Sequence, residues 1–328
     1  MKDNNTIVWG IIGCGDVTEK KSGPAFSKVE GSHLLAVMRR NASLAEDYAR
    51  RHQIANWYAN VDEMLGNSAL NAIYIATPPS SHLDYALLAL NLGKHVYVEK
   101  PVTLNAQEAV LLLQATKKSQ GKLVVAHYRR QLPMFLKIKE WLDSGKIGAV
   151  QTVQLRLWQS RNPELVSKGA DNWRTDPKIS GGGYFFDLAP HQLDLMLYFF
   201  GPAIFYEGFS LIHDARNTVA DYTSGTILFG NQVVFQGSWW FNAPANDHMD
   251  SCEILGSLGN IRFSLFGDSV YVRSNGQEEE IVFDHPEHIQ YPMIASTVEF
   301  FRGNRPNPAS IEEAVELMKI MDCFSKIR

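Results

Sequence analysis

Between Thr6 and about Val125, short apolar runs alternate with helix-forming stretches, and this alternation limits the possible folds more than any other feature of the chain. The runs Ile7–Ile12, Leu34–Met38, Ala72–Ala76, His95–Val98 and Leu123–Ala126 have the length and composition of strands buried on both faces. Between them, Leu44–His52, Val61–Leu65, His82–Leu92 and Ala106–Ser119 have helical periodicity or composition, with Asn105 placed as an N-cap and Gly93 where a helix should stop. Strands and helices in this order form βαβ units, so a five-stranded, doubly wound parallel sheet is expected.

After about Tyr128 the pattern changes. A helix over Met134–Ser144 leads into Val150–Trp158, where Val153, Leu155 and Leu157 alternate with polar residues as in a half-buried strand of an antiparallel sheet. Gly230-Asn231, Gly259-Asn260 and Asn275-Gly276 supply the turn chemistry of hairpins. Ser310-Ile311-Glu312-Glu313 reads as a capping box that opens a final helix ending near Lys326. A chain of 328 residues exceeds one ordinary core. The expected division is a doubly wound α/β domain over 1–126 and a second α/β domain over 127–328, its final helix, about 310–326, packing back on the first.

Charge and cysteine content exclude several classes. The chain carries 31 Lys plus Arg against 35 Asp plus Glu, a net charge of -4, with the basic residues scattered, so no nucleic-acid footprint is present. Cys14, Cys252 and Cys323 are far apart and match neither a disulfide framework nor a zinc site, which points to a reducing compartment. The apolar stretch Tyr184–Phe200 contains Asp187, His191 and Asp194, too costly for a membrane span, and Ile7–Ile12 is too short for a signal peptide. A cytoplasmic protein is expected, with neither nucleic acid nor membrane as partner.

Gly10-Ile11-Ile12-Gly13-Cys14-Gly15 directly follows the first strand. In a Rossmann unit the first glycine makes the tight turn and the second lets a pyrophosphate approach the backbone at a helix N-terminus, here Gly13 and Gly15 with Asp16 and Val17 after them. The third small position falls on Thr18, and Cys14 reads as a small buried filler. Where NAD enzymes place a carboxylate after the second strand, this chain has Arg39 and Arg40, which favours NADP over NAD; the competing reading is a solvated arginine pair. Thr77-Pro78-Pro79 closes the third predicted strand at the ligand-binding edge of the sheet, with His82 following. No metal is expected.

The fourth predicted strand runs into Glu99-Lys100-Pro101, and a glycine run, Gly181-Gly182-Gly183, precedes Asp187, His191 and Asp194 at helical spacings of four and three. A histidine with carboxylates along one stripe suits a proton relay, although Pro190 must lie in the first helical turn to be tolerated, which would make Asp187 an N-cap. Arg130, Trp173 and Arg174 are candidate substrate ligands. Trp158, Trp239, Trp240 and Phe241 suit either sugar stacking or burial on a sheet face.

Gly13-Cys14-Gly15, Glu99-Lys100-Pro101 and the glycine run followed by Asp187 and His191 occur in an order and at separations that resemble the glucose-fructose oxidoreductase / inositol dehydrogenase / MocA family across nearly the whole chain. The resemblance implies a Rossmann domain followed by an α/β domain whose open, mostly antiparallel sheet mediates a homodimer or homotetramer. It also implies hydride transfer between NAD(P) and a CH–OH group of a sugar, polyol or related carbonyl compound. Lys100 would hydrogen-bond the substrate and the nicotinamide ribose, His191 would exchange the proton, and Asp187 would orient the substrate or His191, with a cis bond before Pro101. The chain departs from the family pattern at Thr18, at Arg39 in place of the ribose-binding acid, and at Ala189-Pro190, where a glycine usually precedes the histidine. The alternatives are a nicotinamide-dependent glycosidase of the same fold, which would cleave glycosides while retaining its cofactor, and a cofactor-sensing regulator without turnover.

Overall fold

The computed structural model describes residues 6–161, 163, 165–166 and 172–328, so residues 1–5 of the first expected domain lie outside the described residues. The chain forms two compact units, Met1–Tyr128 with Pro286–Val315, and Arg129–His285 with Glu316–Arg328. Sequence patterning placed a single boundary at 126/127; the contacts assign the later segment 286–315 to the first unit.

The first unit is built on six parallel strands: β1 (Ile7–Ile12), β2 (Ser32–Met38), β3 (Asn56–Tyr58), β4 (Ala72–Ile75), β5 (His95–Val98) and β6 (Leu123–Val125). They lie in the order β3-β2-β1-β4-β5-β6, the doubly wound arrangement in which the chain reverses direction between β1 and β4. The strand missing from the sequence reading is β3. It has three residues at the sheet edge, none of them buried, so no apolar run marks it. Helices span Ala42–Arg51, Val61–Leu65, His82–Asn91 and Ala106–Lys118, and the Asn105 side chain caps the last by accepting the Glu108 N–H at 2.9 Å.

The core of this unit is aromatic. Trp9 of β1 packs on Phe26 at 4.7 Å between ring centroids, and Phe26 packs on Tyr74, which stacks on Tyr97. Phe301, the last residue of the helix Tyr291–Phe301, closes the cluster at 5.6 Å from Trp9. The same late segment is laced to the sheet by Val125 N–H on the Ala309 carbonyl and by Lys122 Nζ on the Phe300 carbonyl.

The second unit holds an eight-stranded sheet of β7 (Val150–Trp158), β8 (Ala203–Leu211), β9 (Tyr222–Phe229), β10 (Val234–Trp240), β11 (Met249–Gly256), β12 (Gly259–Phe263), β13 (Ser269–Ser274) and β14 (Gln277–Val282). Its order is β14-β13-β12-β11-β7-β10-β9-β8, antiparallel except for the β7–β10 pair. Along β7, Val153, Leu155 and Leu157 are buried while Gln154 and Arg156 are exposed, so one face of the sheet is apolar. The helix Gly183–Phe200 is buried along nearly its whole length; Phe185 packs on Trp239 at 5.1 Å and Phe200 on Phe229 at 5.5 Å.

Two sequence expectations are corrected in this unit. Gly259 and Asn260 do not form a turn but begin β12, with Asn260 paired to Leu255; the turn falls at Ser257-Leu258. The helix that carries Asp187 begins at Gly183, so Pro190 lies in its interior, removing one internal hydrogen bond, and Asp187 is not an N-cap. By contrast, Asn275 and Gly276 have φ of 50° and 78°, the left-handed pair that a primed turn requires between β13 and β14.

Among the described residues no helix is long and apolar enough to cross a membrane. The capping box is present: Ser310 N–H donates to Glu313 Oε2 at 3.0 Å and Glu313 N–H to Ser310 Oγ at 3.3 Å. Substituting Ser310→Ala is expected to cost about 1 kcal/mol, measured by urea unfolding. His95 accepts the Lys122 N–H on Nδ1 and stacks on Phe301. Burial, helped by Lys122, lowers its pKa from 6.5 to about 4. The unfolded chain therefore takes up this proton first as pH falls, and stability should drop between pH 6.5 and about 4. His95→Gln should flatten the urea midpoint over that window.

Candidate active site

The turn after β1 is shaped for a group that approaches the backbone. Gly13 has φ of +91°, and a Cβ there would lie 2.7 Å from Thr77 Cγ2 and 2.9 Å from the Ala76 carbonyl carbon. At Gly15, which caps the helix Asp16–Lys20, a Cβ would meet nothing within 4 Å. One glycine thus allows the turn to press against the end of β4, and the other leaves open space in front of backbone N–H groups. These residues fit a dinucleotide pyrophosphate. Asp16 is exposed and Val17 half-buried at the start of the helix.

Thr18 is fully buried in the position where a glycine or alanine is usual. Its hydroxyl donates to the Gly15 carbonyl at 2.8 Å, and its own carbonyl accepts the Tyr48 hydroxyl at 2.9 Å. The departure is accommodated because the hydroxyl bonds within the turn. Glu19 is gripped by Arg51 through both carboxylate oxygens, which lowers its pKa to about 2. This contact ties the short helix to the one that follows β2. Cys14 is a buried filler, as read from sequence; burial raises its thiol pKa to about 11, so it is not a nucleophile.

Arg39 and Arg40 stand exposed directly after β2, and Arg39 Nη1 donates to the Cys14 carbonyl at 3.3 Å. The neighbouring Asn41 is committed to capping the next helix through the Leu44 N–H. No carboxylate follows this strand before Glu46, so the end of β2 presents guanidinium charge beside the glycine turn.

Thr77 and Pro78 form the turn after β4, braced by Ser81 Oγ, which lies 2.8 Å from Thr77 Oγ1. His82, expected at the cofactor, has no exposed surface. Its two ring nitrogens face the Pro101 carbonyl at 2.9 Å and the Thr77 carbonyl at 2.8 Å, so it shapes the wall of the site and presents no atom to a ligand. At the end of β5, Lys100 is half-buried and precedes a cis bond to Pro101. Glu99 turns inward, where it accepts the Tyr74 hydroxyl and the Gln290 amide, each at 2.7 Å. Gln290 was invisible to sequence reasoning: it is an isolated polar residue far from any motif.

In the second unit the three ionisable groups of the helix Gly183–Phe200 have separate surroundings. Asp187 Oδ2 accepts from Arg174 Nε at 2.6 Å, and the Arg174 guanidinium lies 4.5 Å from the centroid of the Trp173 ring. The His191 ring meets Phe266 edge-on at 6.0 Å. Phe266 is fixed from two other sides: Asp250 Oδ2 accepts its N–H at 2.7 Å, and Arg129 stacks on its ring at 4.4 Å. Phe266 also escaped the sequence reading, because its place depends on a β12–β13 loop that no pattern identifies.

Arg130 is corrected. The sequence offered it as a substrate ligand, but its side chain is 2% exposed and pairs with Asp194, 4% exposed, through Nε–Oδ2 at 2.9 Å and Nη2–Oδ1 at 2.7 Å. Its guanidinium also lies 5.3 Å from the centroid of the Tyr198 ring. The same pair removes Asp194 from any proton relay. Trp239 is buried, with Nε1 donating to Gln192, whereas Trp158 and Trp240 lie on the opposite, half-exposed face of the sheet.

Comparison with known proteins places this geometry. Residues 7–127 match the oxidoreductase family with an NAD-binding Rossmann fold, GFO/IDH/MocA, and residues 135–262 match the GFO/IDH/MocA C-terminal domain. The chain is 50% identical over 319 residues to Oxidoreductase P35 of Formosa agariphila, covering 97% of this chain and 98% of that protein. It is 28% identical over 244 residues to the scyllo-inositol 2-dehydrogenase (NADP(+)) IolW of Bacillus subtilis, covering 74% of this chain and 65% of that protein. A levoglucosan dehydrogenase, solved with NADH and levoglucosan, superposes with a TM-score of 0.81 at 21% identity, covering 97% of this chain and 96% of its own.

The Arg130–Asp194 pair gives a direct test of the correction. Asp194→Ala should destabilise the protein by about 3–5 kcal/mol, because it leaves a buried guanidinium without its counter-charge. Arg130→Met combined with Asp194→Leu should cost less than half as much in thermal or urea unfolding. A ligand-binding role would instead predict near-normal stability for the single variant.

Proposed function

The chain belongs to the Gfo/Idh/MocA family of NAD(P)-dependent oxidoreductases, and from that footing we propose that it is an NADP-preferring dehydrogenase or reductase of a sugar or polyol. The chemical reading is carried by Lys100 at the end of β5, together with Asp187 and His191 one helical turn apart in the second unit. The cofactor preference is carried by Arg39, which stands at the end of β2 with no carboxylate beside it. A 2′-phosphate matches a guanidinium there, whereas the bare 2′-hydroxyl of NAD is better met by an acid. The NADP-linked inositol dehydrogenase among the relatives supports this preference, and the inositol and levoglucosan enzymes together support a polyhydroxylated ring as substrate.

Bound nicotinamide supplies the hydride chemistry. The protein's own part is to bind, orient and move one proton. Lys100 donates hydrogen bonds to the substrate hydroxyl and to the ribose. Thr77 and Pro78 would line the nicotinamide side of the cofactor, and Gly13 and Gly15 with Asp16 and Val17 would hold its pyrophosphate. His191 takes or gives the substrate proton at an imidazole nitrogen, in a setting where Phe266 restricts the ring. Asp187, its charge balanced by Arg174, orients the substrate, and Trp173 provides a flat surface beside it.

A homodimer or homotetramer formed through the open sheet of the second unit suits its outer face, where Trp158, Trp240 and the Gln154–Gln236 pair are arrayed. Three thiols outside any disulfide suit a cytoplasmic setting.

Calorimetry with NADP and NAD, followed by turnover assays on an inositol, anhydrosugar and aldose panel, tests the whole reading. NADP should bind the more tightly, and Arg39→Ala should weaken NADP by about 10- to 100-fold while changing NAD little. Lys100→Ala and His191→Ala should each lower kcat by about a hundredfold or more at saturating cofactor. Tighter binding of NAD, or full turnover by either variant, would refute the corresponding assignment.

A further inference from the structure

Lys100 is flanked by Glu99 and Pro101, each of which is met by a side chain from outside the motif. On its N-terminal side, Glu99 Oε2 accepts the Lys100 backbone N–H at 3.2 Å, while Oε1 accepts the Tyr74 hydroxyl and Gln290 Nε2, each at 2.7 Å. Gln290 follows Glu99 by 191 residues and is 1% exposed. It is itself held in place: its Oε1 accepts the Tyr97 hydroxyl at 3.1 Å, and its backbone N–H donates to the Lys21 carbonyl at 3.2 Å. On the C-terminal side, the buried His82 ring spans the Pro101 carbonyl and the Thr77 carbonyl.

A lysine side chain has four rotatable bonds, so its ammonium can be placed reproducibly only if its backbone is fixed. A buried carboxylate turns toward whatever donors surround it. With Gln290 present, Glu99 Oε1 has two donors and Oε2 is left facing the Lys100 N–H; without Gln290, the Tyr74 hydroxyl alone holds that orientation against rotation. On the other side, the buried His82 ring lies between the turn after β4 and the segment after β5, with a carbonyl oxygen of each within hydrogen-bond distance of a ring nitrogen.

Resting on the catalytic reading of Lys100 above, we propose that Gln290 and His82 are positioning residues for Lys100, Gln290 acting through Glu99 and His82 through Pro101. Neither side chain reaches a ligand. Both act by setting the backbone from which the lysine projects, and His82 moves that backbone together with Thr77, so the cofactor-covering turn and the lysine stay in register. Supporting groups of this kind determine whether a site is held to a fraction of an ångström.

The test uses Gln290→Leu and His82→Phe, which keep the side-chain volume and remove the hydrogen bonds, each alone and combined with Lys100→Ala. In the cofactor-free protein, Gln290→Leu should speed amide exchange of Lys100 by about tenfold or more, followed by NMR, while Ile73 to Ile75 in β4 stay unchanged. Both variants should lower kcat by about 10- to 100-fold on the panel compound that the wild type turns over fastest. Gln290→Leu should leave the calorimetric Kd for NADP within about threefold, and neither variant should cause further loss in the Lys100→Ala background. Unchanged exchange and kcat in variants that melt near the wild type would overturn the proposal, as would a loss that persists in full without Lys100. Should either variant fail to fold, the other still decides the question on its own side of the lysine. Full activity of Lys100→Ala alone would overturn the catalytic reading itself, an outcome distinct from an impaired Lys100→Ala beside two unimpaired positioning variants.

Discussion

The turn after β1 passes so close to the end of β4 that a single added methyl group at Gly13 would collide with Thr77 and with the main chain of Ala76. The rest of the first unit depends on that contact. It lies at the carboxyl ends of β1 and β4, the paired strands between which the winding direction reverses, the place where a crevice opens in sheets of this kind. Arg39 is brought beside the turn because β2 flanks β1, and Lys100 arrives because β5 flanks β4. The layout of the candidate site thus follows from strand order and from one residue without a side chain.

The acids and bases of the long helix in the second unit show how little spacing decides by itself. Asp187, His191 and Asp194 lie along one stripe, yet Asp194 is neutralised by Arg130 in the interior, Asp187 is paired with Arg174, and His191 is set against an aromatic ring. Regular spacing placed the three together on the helix. The elements packed around it determined which of them are available for chemistry.

Most strands of the first sheet, most of its helix limits and the glycine turn were legible because each depends on residues near one another in the chain. Periodicity located β1, β5 and β7 with their observed limits, and the Asn105 cap and the Ser310 capping box were evident from local side-chain chemistry. The reading failed where a partner far along the chain was decisive. Arg130 looked like a substrate ligand until Asp194 was placed beside it, and His82 looked like a cofactor ligand until two carbonyl groups enclosed it. The interior position of Pro190 is a different case: a helix buried among aromatic rings continues through the lost hydrogen bond because packing outweighs it.

The first unit is assembled from two stretches separated by nearly all of the second. On the ribosome, its six strands emerge early, but Phe301, which covers Trp9, and Gln290, which holds Glu99, emerge only after the entire second sheet has been made. The nascent sheet therefore waits with a tryptophan that meets Phe26 and Tyr97 but not yet Phe301, and with an incompletely bonded carboxylate, and a segment made late in synthesis completes a fold begun early. Messages cut short before that point encode a nucleotide-binding half without its closing piece, material for chaperones and proteases rather than a smaller working protein.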